Sequence, residues 1–270
     1  MLQVRRAGTV TARIAMIQFD WDRPEIKAIF EDLDVPPNYG YFLLRAAPLG
    51  RCNPQLIGSA MAFFPPQMVA KIVERLWERA GPQETMEIGV RQMSVAAQAV
   101  LGDGDGVAEL AELYDKVLAR LDTSGRILSS AWRTVPWPDR PACQLLGAAT
   151  TLREYRGDGH IAAVAASGVS PLQARILSAA TAGVDPEAKA ASFGWKEPQI
   201  DEAMAGLREM GVIDGAEATV SGRELWEDIE ELTDRLAAPA WEPLGEDLTR
   251  LVALGEEVLE AGEVPAATGR

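Results

Sequence analysis

The amino-acid sequence predicts a mainly α-helical protein with one small β-hairpin in its C-terminal third. Three observations carry this. Ala, Leu and Glu dominate and only 6% of residues are aromatic, a composition that favours helices over sheets. Apolar residues recur at spacings of three and four through much of 24–121, the period of a half-buried helix. A single short stretch, 211–221, reads as paired strands around a turn. The 270 residues allow one large domain or two smaller ones, each able to bury a core.

The elements follow in order. Residues 24–33 (PEIKAIFEDL) open on a proline suited to a first helical turn. Pro36–Gly40 is expected to break that helix. A short apolar helix over 41–50 embeds Arg45 and stops at Pro48 and Gly50. Another over 54–63 ends at Pro65-Pro66. From Gln67 to Ala80, Met68, Val69, Ile72, Val73 and Leu76 make an amphipathic stripe, and similar helices fit 82–101 and 106–121. In 131–141, Pro136, Pro138 and Pro141 exclude a continuous helix, while Trp132 and Trp137 carry too much apolar area to leave in water. A helix over 142–156 is expected to stop at Gly157-Asp158-Gly159, with Asp158 as N-cap of a next helix over 160–167. Ser170-Pro171 starts a helix over 171–182, and two more cover 186–193 and 197–210. After the strands, Ser221 and Glu224 form a capping-box pattern for a long helix. Three helices, a hairpin and a long helix is the plan of a winged helix-turn-helix. The expected domains are an N-terminal helical bundle over 1–130, a Trp/Pro loop with central motif helices over 131–168, and a winged-helix-like domain over 169–270.

The run from LREMGVI at 207–213 through TVSGRELWEDIEELTDRLAAPAW at 219–241 resembles the MarR-type winged-helix regulators. A wider resemblance rests on YFLLRAAPLG at 41–50, VPWP at 135–138, LREYRGDGH at 152–160 and TDRLAAPAW at 233–241. Together these are similar to an actinobacterial family of helix-turn-helix-like proteins found in specialised metabolism. The resemblance implies a fold and brings no reaction, cofactor or catalytic residue with it.

Charge bears on the partner. The formal net charge of −14 repels nucleic acid and anionic membranes unless a basic patch overrides it. From the expected reading helix over 195–212 through Arg223, the cations Lys196, Arg208 and Arg223 face six anions: Glu197, Asp201, Glu202, Glu209, Asp214 and Glu217. Such a surface meets repulsion at each phosphate, so DNA is not the expected partner and the winged helix is read as reused for packing or dimerisation. A homodimer is compatible with this. The stretch MLQVRRAGTVTARIAMIQF lacks the apolar core of a signal peptide. No run approaches the roughly 18 apolar residues of a membrane span, and Cys52 and Cys143 are read as reduced thiols. The expectation is a cytoplasmic protein without a membrane partner.

The candidate site is Arg153-Glu154-Tyr155-Arg156-Gly157-Asp158-Gly159-His160, which holds the only histidine of the chain. His is the one side chain whose unperturbed pKa lies near neutrality. In the functional reading, His160 or Glu154 serves as general acid or base. Arg153 and Arg156 bind a carboxylate or phosphate bidentately, and Asp158 holds the imidazole tautomer. Arg45, with Tyr41 beside it, adds a second anion contact, and Trp132 and Trp137 wall an apolar or aromatic ligand in a cleft between the N-terminal helices and the winged-helix unit. In the structural reading, Arg153, Glu154 and Arg156 form a buried ion-pair network, Arg45 pairs with Glu154 or Asp158, Asp158 is only a cap, and the tryptophans are core.

Other signatures fail. Gly102–Gly106 does not continue the EF-hand spacing. No phosphate-cradling loop and no G-x-S-x-G elbow occurs, and one His with two scattered Cys makes no zinc site. No cofactor is identified, and a haem on His160 is neither supported nor excluded. The leading expectation is a small-molecule-binding protein of specialised metabolism, with acid/base chemistry at 153–160 if it is an enzyme. The alternative is a MarR-type ligand-responsive transcription regulator, and a structural partner protein is the third.

Overall fold

The computed structural model describes residues 2–264. In chain order the helices are α1 (Leu2–Ala15), α2 (Pro24–Asp32), α3 (Pro37–Ala46), α4 (Pro54–Ala60), α5 (Pro66–Arg79), α6 (Pro82–Leu101), α7 (Asp105–Leu118), α8 (Ile127–Trp132), α9 (Pro141–Ala166), α10 (Pro171–Thr181), α11 (Pro186–Ser192) and α12 (Glu197–Glu209). The strands β1 (Ile213–Asp214) and β2 (Glu217–Ala218) precede α13 (Val220–Ala237) and α14 (Asp247–Ala261). The fold is mainly helical with one small hairpin. It divides into two compact units, one formed by the chain up to Cys52, Ile72–Asp158 and the chain from Ala237, the other by Asn53–Lys71 and Gly159–Leu236.

In the first unit α1 lies along α14. The approach is close: a Cβ on Gly255 of α14 would stand 2.4 Å from Val10 Cγ1 of α1. No helix over 2–15 was expected. Its buried stripe is Ala7, Val10, Thr11, Ile14 and Ala15, and small or polar members weaken the sequence signal. Tyr114 of α7, fully buried, meets Trp241 edge-on at 6.2 Å and shares a 2.7 Å hydrogen bond with Thr11. α9 is buried through Ala142, Cys143, Leu145, Leu146, Ala148, Ala149 and Leu152, a helix apolar on most sides and so central to its unit.

One expected break holds and one is corrected. α2 does end at Asp32, ahead of Pro36, but the next helix begins four residues before the expected 41, because Pro37 opens α3 in a first turn where its missing N–H is harmless. Gly157-Asp158-Gly159 is not a helix stop, because α9 runs through it unbroken. Neither glycine takes a positive φ, so the left-handed signal of a C-terminal stop is absent. Tertiary burial of α9 overrides the weak helix propensity of two glycines.

The second unit holds the three helices, hairpin and long helix expected from 170 onward. Ser170 and Gln173 close a capping box on α10, and Asp185 caps α11 through the amides of Glu187 and Ala188. β1 and β2 pair antiparallel with Ile213 opposite Ala218 and Asp214 opposite Glu217, turning at Gly215 with φ +59°. Leu172, Ile176, Leu177, Ile200, Met204, Leu207, Val212 and Ile213 form the core. α13 starts two residues earlier than its sequence pattern suggests. Thr219, not Ser221, is the cap: its Oγ1 accepts from the Gly222 amide at 3.1 Å.

Candidate functional site

α3 presents Tyr41 and Arg45 one turn apart, and α9 presents Arg153 and Glu154. Arg45 donates from Nε to Glu154 Oε1 at 3.0 Å, from Nη2 to Oε2 at 2.5 Å and from Nη1 to the Tyr41 hydroxyl at 2.6 Å. Arg153 donates from Nη1 to Glu154 Oε1 at 2.6 Å. Glu154 is 1% exposed and Arg45 9%, so this is a bidentate pair at low dielectric, joined by a second guanidinium. Burial pushes the Glu154 carboxyl up, but the charges and hydrogen bonds of Arg45 and Arg153 outweigh it and hold it below the usual carboxylate range. Burial likewise opposes the Arg45 charge and is outweighed by Glu154. A carboxylate so held is a poor proton donor near neutrality.

Aromatic rings surround the pair. Arg153 lies over Phe19 at 5.5 Å from its centroid, and Phe19 packs on Tyr41 at 5.0 Å. All three nitrogens of Arg45 are engaged. Arg153 places only Nη1 on a described side chain, and that side chain is 23% exposed.

Asp158 is a cap, although not of the helix expected. Its Oδ2 accepts from the Ser129 amide at 3.0 Å, the third residue of α8, while Ser129 Oγ donates to the Thr151 carbonyl. It thus satisfies an orphan donor at the start of another helix. Burial pushes its pKa up to about 6, with Ser129 opposing and the Glu154 charge adding. Arg126 ties the same corner, donating to the Tyr155 carbonyl at 2.9 Å and covering the Tyr155 ring. Arg156 runs its stem past Gly8 of α1.

Trp132 packs inward and is 1% exposed, while Trp137 is half-buried. The Trp137 indole fills the space over Gly147, where a Cβ would stand 2.5 Å away. A shallow groove of about 500 Å³ in the same unit is lined by Trp21, Lys27, Phe30, Asp34 and Arg79 among others, and none of the expected site residues reaches it.

His160 belongs to the second unit. Its Nδ1 stands 2.9 Å from Thr233 Oγ1, which itself donates to the Ile229 carbonyl at 2.8 Å. Thr233 has one proton and gives it to Ile229, so Nδ1 is the donor and carries the imidazole hydrogen. The ring stacks on Phe63 at 5.3 Å and meets Trp226 edge-on at 5.9 Å, with Glu230 Oε1 3.6 Å from Nδ1. Asp158 therefore does not hold the tautomer; Thr233 does. Phe19, Phe63, Ser129 and Thr233 carried no motif, because only folding brings them to these partners.

Among the described residues no group of three or more His, Cys, Asp and Glu side chains could hold a metal ion, and no single helix is long and apolar enough to cross a membrane. The helices, hairpin and long helix of the second unit follow the order of a helix-turn-helix protein. The chain matches the model of the Helix-turn-helix family over residues 5–265 and belongs to that family. No curated protein and no solved structure matches it.

Proposed function

We propose that this protein is a small-molecule-binding member of the helix-turn-helix family that takes an anionic, aromatic metabolite at the Arg45–Glu154–Arg153 corner and does not read DNA. The carrying observation is Arg153. Two guanidiniums share one carboxylate there, and Arg153 hydrogen-bonds a described side chain through Nη1 alone while lying over Phe19. A ligand carboxylate on those donors would complete the charge balance, with Phe19 and Tyr41 as apolar neighbours. Glu154, held ionised, orients the two arginines and takes no proton.

The regulator reading rests on a different observation, the element order α10–α11–α12–hairpin–α13, which is that of a winged helix and supports the likeness to MarR-type regulators. Charge weighs against it. Glu197, Asp201, Glu202 and Glu209 are exposed on α12 beside Lys196 and Arg208, and Asp214 and Glu217 are exposed on the hairpin.

One thermal-shift series separates the two. Aromatic carboxylates that bind the folded state raise Tm, and they should do so in the wild type but not in Arg153→Ala. Duplex DNA should leave Tm unchanged even at low salt. A salt-dependent rise with duplex DNA, and none with any carboxylate, would replace this proposal with the regulator.

A further inference from the structure

We infer that the base of the hairpin in the second unit is a docking surface for a basic segment of another protein. The apolar anchors are Met210 and Val220, 46% and 65% exposed. The backbone next to each is tied together: Thr219 donates from Oγ1 to the Gly211 carbonyl at 2.8 Å and from its amide to the Val212 carbonyl at 3.1 Å, and Val220 follows Thr219 as Met210 precedes Gly211. A Cβ on Gly222 would stand 1.9 Å from the Val212 carbonyl oxygen, so the start of α13 is pressed against the base of the hairpin.

Charge selects the occupant. Glu202 and Glu209 of α12 and Asp214 and Glu217 of the hairpin are exposed, and none forms an ion pair among the described residues. The first unit treats its surface carboxylates differently, pairing Glu256 with Arg6, Asp247 with Lys116 and Glu109 with Arg250 across elements. Four unpaired carboxylates on the elements that carry these apolar side chains, against the exposed cations Arg208 and Arg223, suit a partner with Lys and Arg around an apolar anchor. Two copies of this chain would bring like charges together at that face, which disfavours a homodimer through it.

The test uses the full-length protein and a labelled Lys/Arg-rich peptide carrying two leucines, read by fluorescence anisotropy. Glu202→Lys/Glu209→Lys and Met210→Ser/Val220→Ser should each weaken binding about tenfold or more. The control Glu74→Lys/Glu84→Lys, which changes net charge equally on exposed positions of α5 and α6, should change it less than about twofold. Equal weakening in the control would show attraction to net charge alone and overturn the proposal. So would no binding at low salt, or concentration-dependent self-association abolished by Met210→Ser/Val220→Ser. This outcome is independent of Arg153, so it stands or falls apart from the metabolite site.

Discussion

Glu154 and Asp158 lie one helical turn apart on α9 and behave oppositely, because two guanidiniums outweigh burial at Glu154 whereas at Asp158 burial outweighs its one amide hydrogen bond. Glu154→Gln leaves Arg45 buried with its charge uncompensated, and unfolding in urea should show a loss of about 3–5 kcal/mol. Replacing both partners with apolar side chains, Arg45→Met/Glu154→Leu, should cost much less than the single change, and a loss equal to or larger than that of Glu154→Gln would disprove a buried-pair role. Asp158 has its folded pKa raised to about 6 from an ordinary 3.8. Its stabilising contribution is therefore full below the unfolded value and is lost as pH rises through 6. Asp158→Asn keeps an oxygen for the Ser129 amide and removes the titration. The Tm of the variant minus that of the wild type should rise between pH 4 and pH 7, by an amount corresponding to roughly 2–3 kcal/mol; a flat difference would place the titration elsewhere. Pairing of Arg45 with Glu154 was an explicit alternative in the sequence, since a lone charge in an apolar helix needs a partner. The Thr233 contact that sets the His160 tautomer was not legible, because Thr233 lies 73 positions away.

α9 is the element whose local chemistry and final structure disagree most. Gly157 and Asp158 both spell an end, yet the helix continues because its apolar sides are buried over most of its length. This has a measurable consequence. A Cβ on Gly157 would meet only Glu154 Oε2, at 3.8 Å, so Gly157→Ala should stabilise the protein by about 0.5–1 kcal/mol through helix propensity. Destabilisation by that substitution would argue that the helix does break there. Where caps and periodicity agree with burial the sequence was a sound guide: α6 covers Pro82–Leu101, the span its pattern predicts, and α10 carries the Ser170 cap. α1 escaped notice because a stripe built on Ala7 and Thr11 presents little apolar contrast.

At the scale of the whole molecule the charge is unevenly placed. Residues 171–236 carry fourteen acidic against six basic side chains, so the segment with the helix-turn-helix order is also a principal source of the −14 total. Family membership defines the fold there, and electrostatics restrict what the fold can meet. The sequence by itself determined the helical class, the place of the hairpin, the acidity of α12 and the corner at which charges gather, because composition, period and charge are local properties of the chain. Only the tertiary structure decided that Glu154 is shared by Arg45 and Arg153, that Asp158 caps α8, that Trp132 is buried and Trp137 covers Gly147, and that His160 answers to Thr233. Each of these depends on residues far apart in sequence brought within a few ångströms, where burial and neighbouring charge set what a side chain can do.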